Sequence, residues 1–355
     1  MTQGETCLNQ ENMQAFMKSA VFQLEARRRV VGVGSVLVDI LVPATDGFVG
    51  RSGVPKGGMV YFDADTIQQV LQRADSSQVR VVPGGAACNT IIGVASLGGS
   101  TRFLGKRGQD EFGQRFEKDL SRRRVDPHLI QVPTPTGRVL SLITPDSQRT
   151  MLTYLGASAE MTALEIQDDF FDDAAVAVIE GYLVYNRELF LHALQKAQTA
   201  GARILLDLAS FTVVEENKAF LAAVVEEYVD IVVANEDEAA IFTGTPSETE
   251  ALKALAELAE VAVVKLGARG SLIAAEGHVH FVAPYGAGDI IDTTGAGDLW
   301  AAGFLYGLTA GMPLEQCGRL ASVCGYEVCR VMGACIPDTT WQRIREEFNA
   351  TERPV

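Results

Sequence analysis

The sequence predicts an α/β protein with a doubly wound, mainly parallel central sheet flanked by helices, and with a small β-sheet lid. Two observations carry this prediction. Between residues 175 and 266, short apolar strands alternate with helical stretches, which is the pattern of repeated strand–helix–strand units. Residues 41–62 and 136–154 instead combine strand and turn residues without helical spacing, so they are expected to form the lid.

The chain is expected to begin with an extension, residues 1–28, before the main domain, residues 29–350. The extension is polar with a weak helical pattern and carries no functional prediction. An apolar run from Val30 to Asp39 then reads as a buried first strand that ends in a carboxylate. Because open α/β sheets bind ligands at the carboxyl ends of their strands, Asp39 is a candidate for holding substrate hydroxyls, although an Asp that starts a turn is the alternative.

A Gly-Gly turn is expected to open a helix of small residues within residues 81–99. Gly84 and Gly85 allow the backbone to approach a ligand closely. Asn89 falls about one turn into this helix, where its amide is expected to face the same substrate as Asp39. The segment that follows contains Gly105-Lys106 but is not a phosphate-binding P-loop, because the glycine spacing is wrong for that motif.

The middle of the chain supplies the hairpin and the repeated units. Residues 136–154 are expected to form a β-hairpin that turns at Pro145-Asp146. The elements after it are expected at strands 175–179, 203–208, 230–234 and 261–266, with helices that start at Arg187, Val213 and Glu236.

The strongest functional signal is the segment DTTGAGD, residues 292–298, which runs directly into a helical stretch. The backbone N–H groups of Gly295, Ala296 and Gly297 converge there with the positive end of the helix dipole, and together they make an anion pocket. Asp298 lies inside this pocket, where it would repel a phosphate, so the expected use is as a general base toward an attacking hydroxyl. The alternative is an ordinary acidic residue at a helix start.

Charge and cysteine usage limit the functional classes. A formal net charge of −15 argues against a nucleic-acid partner. No apolar run approaches 18 residues and the N-terminus lacks a leader pattern, so neither a membrane span nor a signal peptide is expected. The six cysteines show no zinc-type spacing, and a cytoplasmic location follows as the expectation. His278 and His280 share one face of a short strand and read as ordinary strand residues.

Two motifs together resemble the signatures of the PfkB family of carbohydrate kinases, the ribokinase-like group. They are PGGAACN at residues 83–89 and DTTGAGD at residues 292–298, and the resemblance extends over roughly residues 29–344. It implies a ribokinase-like fold in which ATP with Mg²⁺ donates its γ-phosphate to an alcohol, usually a CH₂OH, of a ribosyl or sugar substrate. It also implies that Asp298 is the base, that Gly295 to Gly297 form the anion hole, and that Asp39, Gly84, Gly85 and Asn89 contact the acceptor.

The same resemblance extends to the nucleotide and cation sites. Asn235 and Glu238 resemble the family's N-x-x-E motif, which implies that they organise Mg²⁺ and its water shell; a helix with an acidic first turn is the alternative. The nucleotide loop is represented by Lys265, Gly267 and Gly270, and Thr294 is also expected at the ATP site. Asp292, with the loop 333–337, resembles the segment that holds a monovalent cation such as K⁺.

The acceptor is open at this point. The sequence looks closest to a bacterial branch similar to adenosine kinases, and Leu37, which shares a strand face with Asp39, suits a less polar substrate. Nearby aromatic residues offer stacking surfaces for a purine, with lid and core packing as the alternative: Tyr61, Phe62, Phe103, Tyr154, Tyr182 and Tyr185.

Two alternatives to a nucleoside kinase remain. One is a kinase for fructose, ribose or a keto-deoxy sugar acid, for which Arg102, Arg138 or Arg149 could supply a cationic clamp. The other is a ligand-binding member of the fold without catalysis, although the presence of Asp298 and its anion hole speaks against it. In each case the partner is a small molecule, and the protein is expected to be a monomer or a homodimer.

Overall fold

The central strands of the main sheet are short and mostly apolar, as expected for strands covered by helices on both faces. The computed structural model describes residues 28–75, 79–146 and 148–350, without the side chains of residues 349 and 350. The predicted extension, residues 1–28, lies outside this part of the chain except for Arg28.

In chain order, the described strands are β1 (Arg29–Val33), β2 (Leu37–Pro43), β3 (Met59–Tyr61), β4 (Arg80–Gly84), β5 (Thr101–Gly108), β6 (Val125–Val132), β7 (Gly137–Ile143), β8 (Arg149–Tyr154), β9 (Ala174–Glu180), β10 (Arg203–Asp207), β11 (Ile231–Asn235), β12 (Val261–Lys265), β13 (Ser271–Ala275) and β14 (His278–Val282). The described α-helices are α1 (Asp46–Arg51), α2 (Ala64–Leu71), α3 (Ala86–Leu97), α4 (Glu111–Arg122), α5 (Arg187–Thr199), α6 (Phe211–Tyr228), α7 (Glu236–Thr243), α8 (Glu248–Ala256), α9 (Ala296–Ala310), α10 (Leu314–Cys329) and α11 (Asp338–Ala350).

The main sheet confirms the predicted α/β class. Its nine strands lie in the order β14-β13-β12-β11-β10-β9-β1-β5-β6. All neighbours from β12 to β6 are parallel, whereas β13 and β14 are added antiparallel at one edge. Alternate residues of β9 enter different cores, with Val176 and Val178 on one face and Ala177 and Ile179 on the other. Both faces of the sheet are therefore buried.

A second, five-stranded sheet has the order β3-β8-β7-β2-β4 and is the predicted lid. The hairpin expected in residues 136–154 is confirmed, because β7 and β8 pair antiparallel. The lid also takes in β2 and β4, and part of the segment 41–62 is helical rather than strand and turn. The helix α1 forms there because Thr45 caps it by accepting a hydrogen bond from the Phe48 N–H.

The expected first strand, Val30 to Asp39, was wrong in its extent. It is two strands in two different sheets: β1 ends at Val33, and Asp39 is the third residue of β2 in the lid. At the break, the Ser35 N–H turns to the Glu180 carboxylate and the Val36 N–H donates to Ser158 Oγ at 2.9 Å. Asp39 therefore does not lie at the carboxyl end of a strand of the main sheet.

The predicted helix starts at Arg187 and Glu236 are confirmed, and α3 begins at Ala86, directly after the Gly-Gly turn. The helix expected from Val213 begins two residues earlier. Its cap is Ser210, whose side chain accepts a hydrogen bond from the Val213 N–H. Among residues 28–75, 79–146 and 148–350, no helix has the length and apolar character needed to cross a membrane.

Candidate active site

Four adjacent parallel strands of the main sheet each end on a polar residue. These are β9 with Glu180, β10 with Asp207, β11 with Asn235 and β12 with Lys265. Parallel strands place their carboxyl ends along one edge, which is where ligands bind in sheets of this kind. This edge also receives the start of α9, so the polar strand ends and the DTTGAGD segment form one site.

The helix α9 begins at Ala296, inside the DTTGAGD segment and three residues before the predicted helical stretch. Gly295 caps it with a left-handed backbone (φ 75°), a conformation that favours glycine, and the Leu299 N–H donates to the Gly295 carbonyl at 2.8 Å. Asp298 lies in the first turn, and its carboxylate accepts a hydrogen bond of 2.9 Å from the Asn89 amide. The sequence placed Asn89 toward the substrate; in this structure it holds the predicted base.

Asp298 lies in an acidic and poorly solvated environment. Burial is the main reason why its pKa is raised to about 7, and the nearby carboxylates of Asp207 and Glu180 raise it further. The hydrogen bond from Asn89 and the charge of Lys265 act in the opposite direction. A carboxylate whose pKa lies near neutrality is well suited to accept a proton from an alcohol.

This environment predicts the pH dependence of the reaction. A base must be unprotonated, so we expect kcat/KM for the acceptor to rise with pH and to level off above about pH 7. Because the Asn89 hydrogen bond stabilises the carboxylate, Asn89→Ala is expected to move this limb to higher pH, by about one unit. The measurement is a pH profile of both enzymes; an unmoved limb would contradict the role given to Asn89.

Lys265 connects the nucleotide side of the site to the anion hole. Its ammonium donates to the Asp207 carboxylate at 2.7 Å, and a Cβ added at Gly297 would lie 2.9 Å from the same ammonium. Burial opposes the charge of Lys265, but Asp207, Glu238 and Asp298 together raise its pKa, so it carries a positive charge beside the anion hole. This position supports the phosphate contact expected of Lys265.

Asn235 and Glu238 form a reciprocal cap at the start of α7. The Asn235 N–H and amide donate to the two oxygens of Glu238 at 2.9 and 2.7 Å, and the Glu238 N–H donates back to the Asn235 side-chain oxygen at 2.9 Å. Glu238 is buried, and its burial together with the charge of Asp207 raises its pKa to about 7.

The donor set of this region fits a hard divalent cation. Mg²⁺ usually keeps several of its waters and takes only one or two carboxylates plus substrate phosphates. Burial and the charge of Asp207 raise the pKa of Glu238, and a nearby cation would oppose this shift. Within the described residues, no three carboxylate, cysteine or histidine side chains are grouped closely enough to hold a metal by themselves.

Asp292 fixes the loop that precedes the anion hole. One of its oxygens accepts from the N–H and hydroxyl of Thr294 at 3.0 and 2.6 Å, and the other accepts from the Gly333 N–H at 2.8 Å. These contacts join DTTGAGD to the loop 333–337. The monovalent cation at Asp292 stays a prediction, since protein donors already engage both oxygens.

The lid reaches this loop through one arginine. Arg149, the first residue of β8, donates a hydrogen bond to the hydroxyl of Thr294. Thr294 therefore lies between the lid and Asp292 and does not line the nucleotide cavity.

A cavity of about 410 Å³ lies between the lid and the main sheet, and it is the candidate acceptor site. Asp39 and Gly85 line it, and a Cβ at Gly84 would lie 2.6 Å from the Asp39 carboxylate, so a side chain there would displace this carboxylate. Burial raises the pKa of Asp39 to about 6, while Arg149 opposes the shift. Although Asp39 does not end a main-sheet strand, it faces the predicted substrate cavity from the lid.

The predicted aromatic residues and arginines divide between this cavity and the core. Tyr61, Tyr182 and Tyr185 line the cavity. Phe103 is fully buried, and Phe62 and Tyr154 pack against the core.

Among the three arginines proposed for a cationic clamp, Arg149 alone lines the cavity. Arg102 is paired with Asp126 and Asp173, each at 3.0 Å, and Arg138 lies over the ring of Phe112 at 4.9 Å.

A second cavity, of about 540 Å³, includes part of the DTTGAGD segment in its lining and is the candidate nucleotide site. The predicted residues Asn235, Lys265, Gly267 and Gly270 line it, as do Ala296 and Gly297. Its remaining walls are largely apolar and include Tyr285, Ile290, Trp300 and Tyr326. The predicted ATP residue Glu238 lies beneath this surface rather than on it.

Two groups of the site were missed in the sequence. Asp207 pairs with Lys265, and Glu180 accepts from the Ser35 and Ala87 N–H groups at 3.3 Å, next to the acceptor cavity. The signal that would have found them is the rule applied to Asp39: a carboxylate at the end of a buried parallel strand.

The site geometry agrees with the similarity to known proteins. The family model "pfkB family carbohydrate kinase" matches residues 58–341. A probable sugar kinase from Rhizobium etli CFN 42 is 31% identical with a TM-score of 0.84, covering 91% of this chain and 99% of the other. Adenosine kinase from Sinorhizobium meliloti is 30% identical with a TM-score of 0.83, covering 90% and 99%. A ribokinase from Arabidopsis thaliana is 26% identical, covering 78% of this chain and 74% of the relative.

The fold and the site thus define a phosphotransferase with an alcohol group as acceptor. The chain belongs to the pfkB family of carbohydrate kinases, with the ribokinase-like fold. Members of this family generally use ATP and Mg²⁺. Its relatives include kinases of nucleosides and of sugars, so family membership leaves the acceptor unresolved.

Proposed function

We propose that this protein transfers the γ-phosphate of Mg·ATP to the CH₂OH group of a nucleoside, with adenosine as the first candidate. The observation that carries this proposal is the apolar wall of the acceptor cavity. Besides three tyrosines, the wall includes Leu37, Met59, Val139, Met151 and Leu155, and the charged groups Asp39, Arg149 and Glu180 line the same cavity. A purine buries large flat faces that suit such a wall, while a free sugar presents hydroxyls on every side.

Each residue of the site has one task in this reaction. Asp39 and the Gly84-Gly85 backbone hold the ribosyl hydroxyls, and the nucleotide occupies the cavity lined by Asn235 and Lys265. Asp298 accepts the proton of the CH₂OH group as its oxygen bonds to the γ-phosphorus. The bond from that phosphorus to the bridging oxygen breaks, and its electron pair leaves with ADP.

The anion hole stabilises the charge that develops during transfer. The N–H groups of Gly295 and Gly297 and the ammonium of Lys265 face the migrating phosphoryl group, whereas the Ala296 N–H, also predicted for the anion hole, donates to the Thr293 carbonyl at 3.2 Å. Asp207 and Glu238 would hold Mg²⁺, which would neutralise part of the negative charge of the phosphates. Asn89 positions Asp298, and the lid excludes water from the transfer.

The acceptor is tested by measuring ADP release with adenosine, other nucleosides, ribose, fructose and a keto-deoxy sugar acid. We expect kcat/KM to be highest for a nucleoside. Turnover of a sugar or sugar acid alone would contradict the nucleoside assignment while leaving the kinase assignment intact.

One of the three tyrosines that line the acceptor cavity, Tyr61, can be tested with a matched pair of variants. Tyr61 lies on the lid strand β3 and is 53% exposed. If it stacks on the base, Tyr61→Ala is expected to raise KM for the nucleoside about 10-fold, whereas Tyr61→Phe, which keeps the ring, changes it little. The measurement is KM for both substrates in both variants. An equal effect of the two substitutions, or a rise in KM for ATP, would count against stacking.

A sugar-acid kinase is the second candidate, and Arg149 is the observation that favours it. Its guanidinium is the group in the acceptor cavity best suited to a carboxylate, and the same panel of acceptors tests it. We further propose one kinase domain over residues 29–350 with lid segments in 41–62 and 136–154, a cytoplasmic location, and a monomer or homodimer in solution.

A further inference from the structure

A cavity of about 590 Å³ lies outside the two substrate cavities, where the carboxyl ends of α3 and α4 meet the start of α11. It shares no lining residue with either of them. Its volume is typical of a small-molecule site. Four arginines and one carboxylate dominate its polar lining: Arg122, Arg123, Arg124, Arg345 and Asp338.

These arginines are poorly neutralised by the protein itself. Arg122 pairs with Asp119 at 3.7 Å, and no carboxylate of the described residues lies within ion-pair distance of the other three. Arg123 donates to Cys335 Sγ at 2.8 Å, but its buried Nε has no hydrogen-bond partner in the described structure. Arg345 donates to the carbonyl of Ser96.

This arrangement is unusual for an acidic chain. The protein has 45 Asp and Glu against 30 Lys and Arg, so most cations have a carboxylate available. Arg124 also adopts a left-handed backbone (φ 63°), where glycine is the residue with the lowest conformational cost. Arg124 therefore lies at the cavity although the neighbouring arginines repel its charge and its backbone conformation is strained.

We propose that this arginine cavity binds a small metabolite that carries two or more negative charges on phosphate groups. Guanidinium groups bind phosphate oxygens through paired hydrogen bonds, and several around one cavity select a polyanion over a single charge. The concave shape and the net charge of −15 of the chain favour a small ligand over a nucleic acid. The site is separate from catalysis and does not depend on which acceptor the kinase uses.

The two tryptophans of the chain make this cavity measurable. Trp341 lines the arginine cavity and Trp300 lines the nucleotide cavity. In Trp300→Phe, the fluorescence of Trp341 alone reports on the arginine cavity. The probe is inorganic pyrophosphate, titrated into this full-length variant at constant ionic strength with NaCl as the reference salt.

We expect a saturable change in Trp341 fluorescence with pyrophosphate and none with NaCl. Adding Arg122→Gln and Arg124→Gln is expected to weaken this binding at least about 10-fold, since two charge-assisted hydrogen-bond donors are lost. Both side chains are exposed, so the fold is expected to tolerate their replacement. Arg73→Gln is the matched control, because it removes one exposed arginine that does not line the cavity.

The proposal fails if no saturable change occurs, or if the double variant binds pyrophosphate as tightly as its parent. It also fails if Arg73→Gln weakens binding as much as the double variant, because the effect would then be general charge screening. A thermal melt of each variant verifies folding. If the wild-type protein shows no kinase activity toward nucleosides, the proposed function is overturned, but the test of pyrophosphate binding at the arginine cavity is unaffected.

Discussion

Asp298→Asn is expected to lower kcat by about 10²- to 10⁴-fold while leaving the affinity for ATP nearly unchanged. The variant keeps the size of the side chain and the start of α9, but an amide cannot accept the proton of the attacking alcohol. Steady-state kinetics give kcat, and quenching of the fluorescence of Trp300, which lines the nucleotide cavity, gives the affinity for ATP.

A matched control is Asp172→Asn, which removes one exposed carboxylate that lines none of the three cavities. It is expected to behave as the wild type. Near-normal turnover by Asp298→Asn would show that another group takes the proton. A loss of ATP affinity as large as the loss of kcat would indicate a damaged anion hole instead.

Asp39→Ala is expected to lower kcat/KM for the acceptor by about 100-fold, with little effect on KM for ATP. A buried carboxylate that accepts two hydroxyl hydrogen bonds contributes about 1.5–3 kcal/mol for each of them, and the first of these already accounts for about 10- to 100-fold. Asp39 lines the acceptor cavity and not the nucleotide cavity, which is why the two substrates are expected to respond differently.

Initial rates measured over a range of both substrates test this expectation. Equal changes in KM for the acceptor and for ATP would remove Asp39 from the acceptor site. Asp39→Asn serves as a second variant, because it keeps the volume against Gly84 and removes only the charge.

Local signals in the sequence were sufficient to predict a helix start at the candidate active site. The glycine spacing of DTTGAGD indicates a turn that leads into a helix, which is a short-range property, although α9 begins at Ala296, earlier than expected. The same holds for α3, which begins at Ala86 after its glycine pair, and for the hairpin of β7 and β8.

Contacts between residues that are far apart in the chain could not be predicted from the sequence. The run from Val30 to Asp39 looks continuous because both of its halves are apolar, and the change of sheet depends on partners at Glu180 and Ser158. The pair of Lys265 and Asp207 is separated by 58 residues in the chain. Strand-end position alone would have selected Asp207, but its partner is fixed by the order of β10, β11 and β12 in the sheet.

The two sheets place the residues that line the acceptor cavity and the residues proposed for phosphoryl transfer in different parts of the fold. The cavity-lining residues Asp39, Tyr61 and Met151 all lie on strands of the small sheet, whereas Asp298 lies on α9, and Lys265 and Asp207 lie on strands of the main sheet. In a protein built this way, substitutions in the lid strands can change the acceptor that binds while the residues of phosphoryl transfer stay the same. Grafting residues 59–61 and 149–153 between relatives is therefore a direct engineering route to new acceptors.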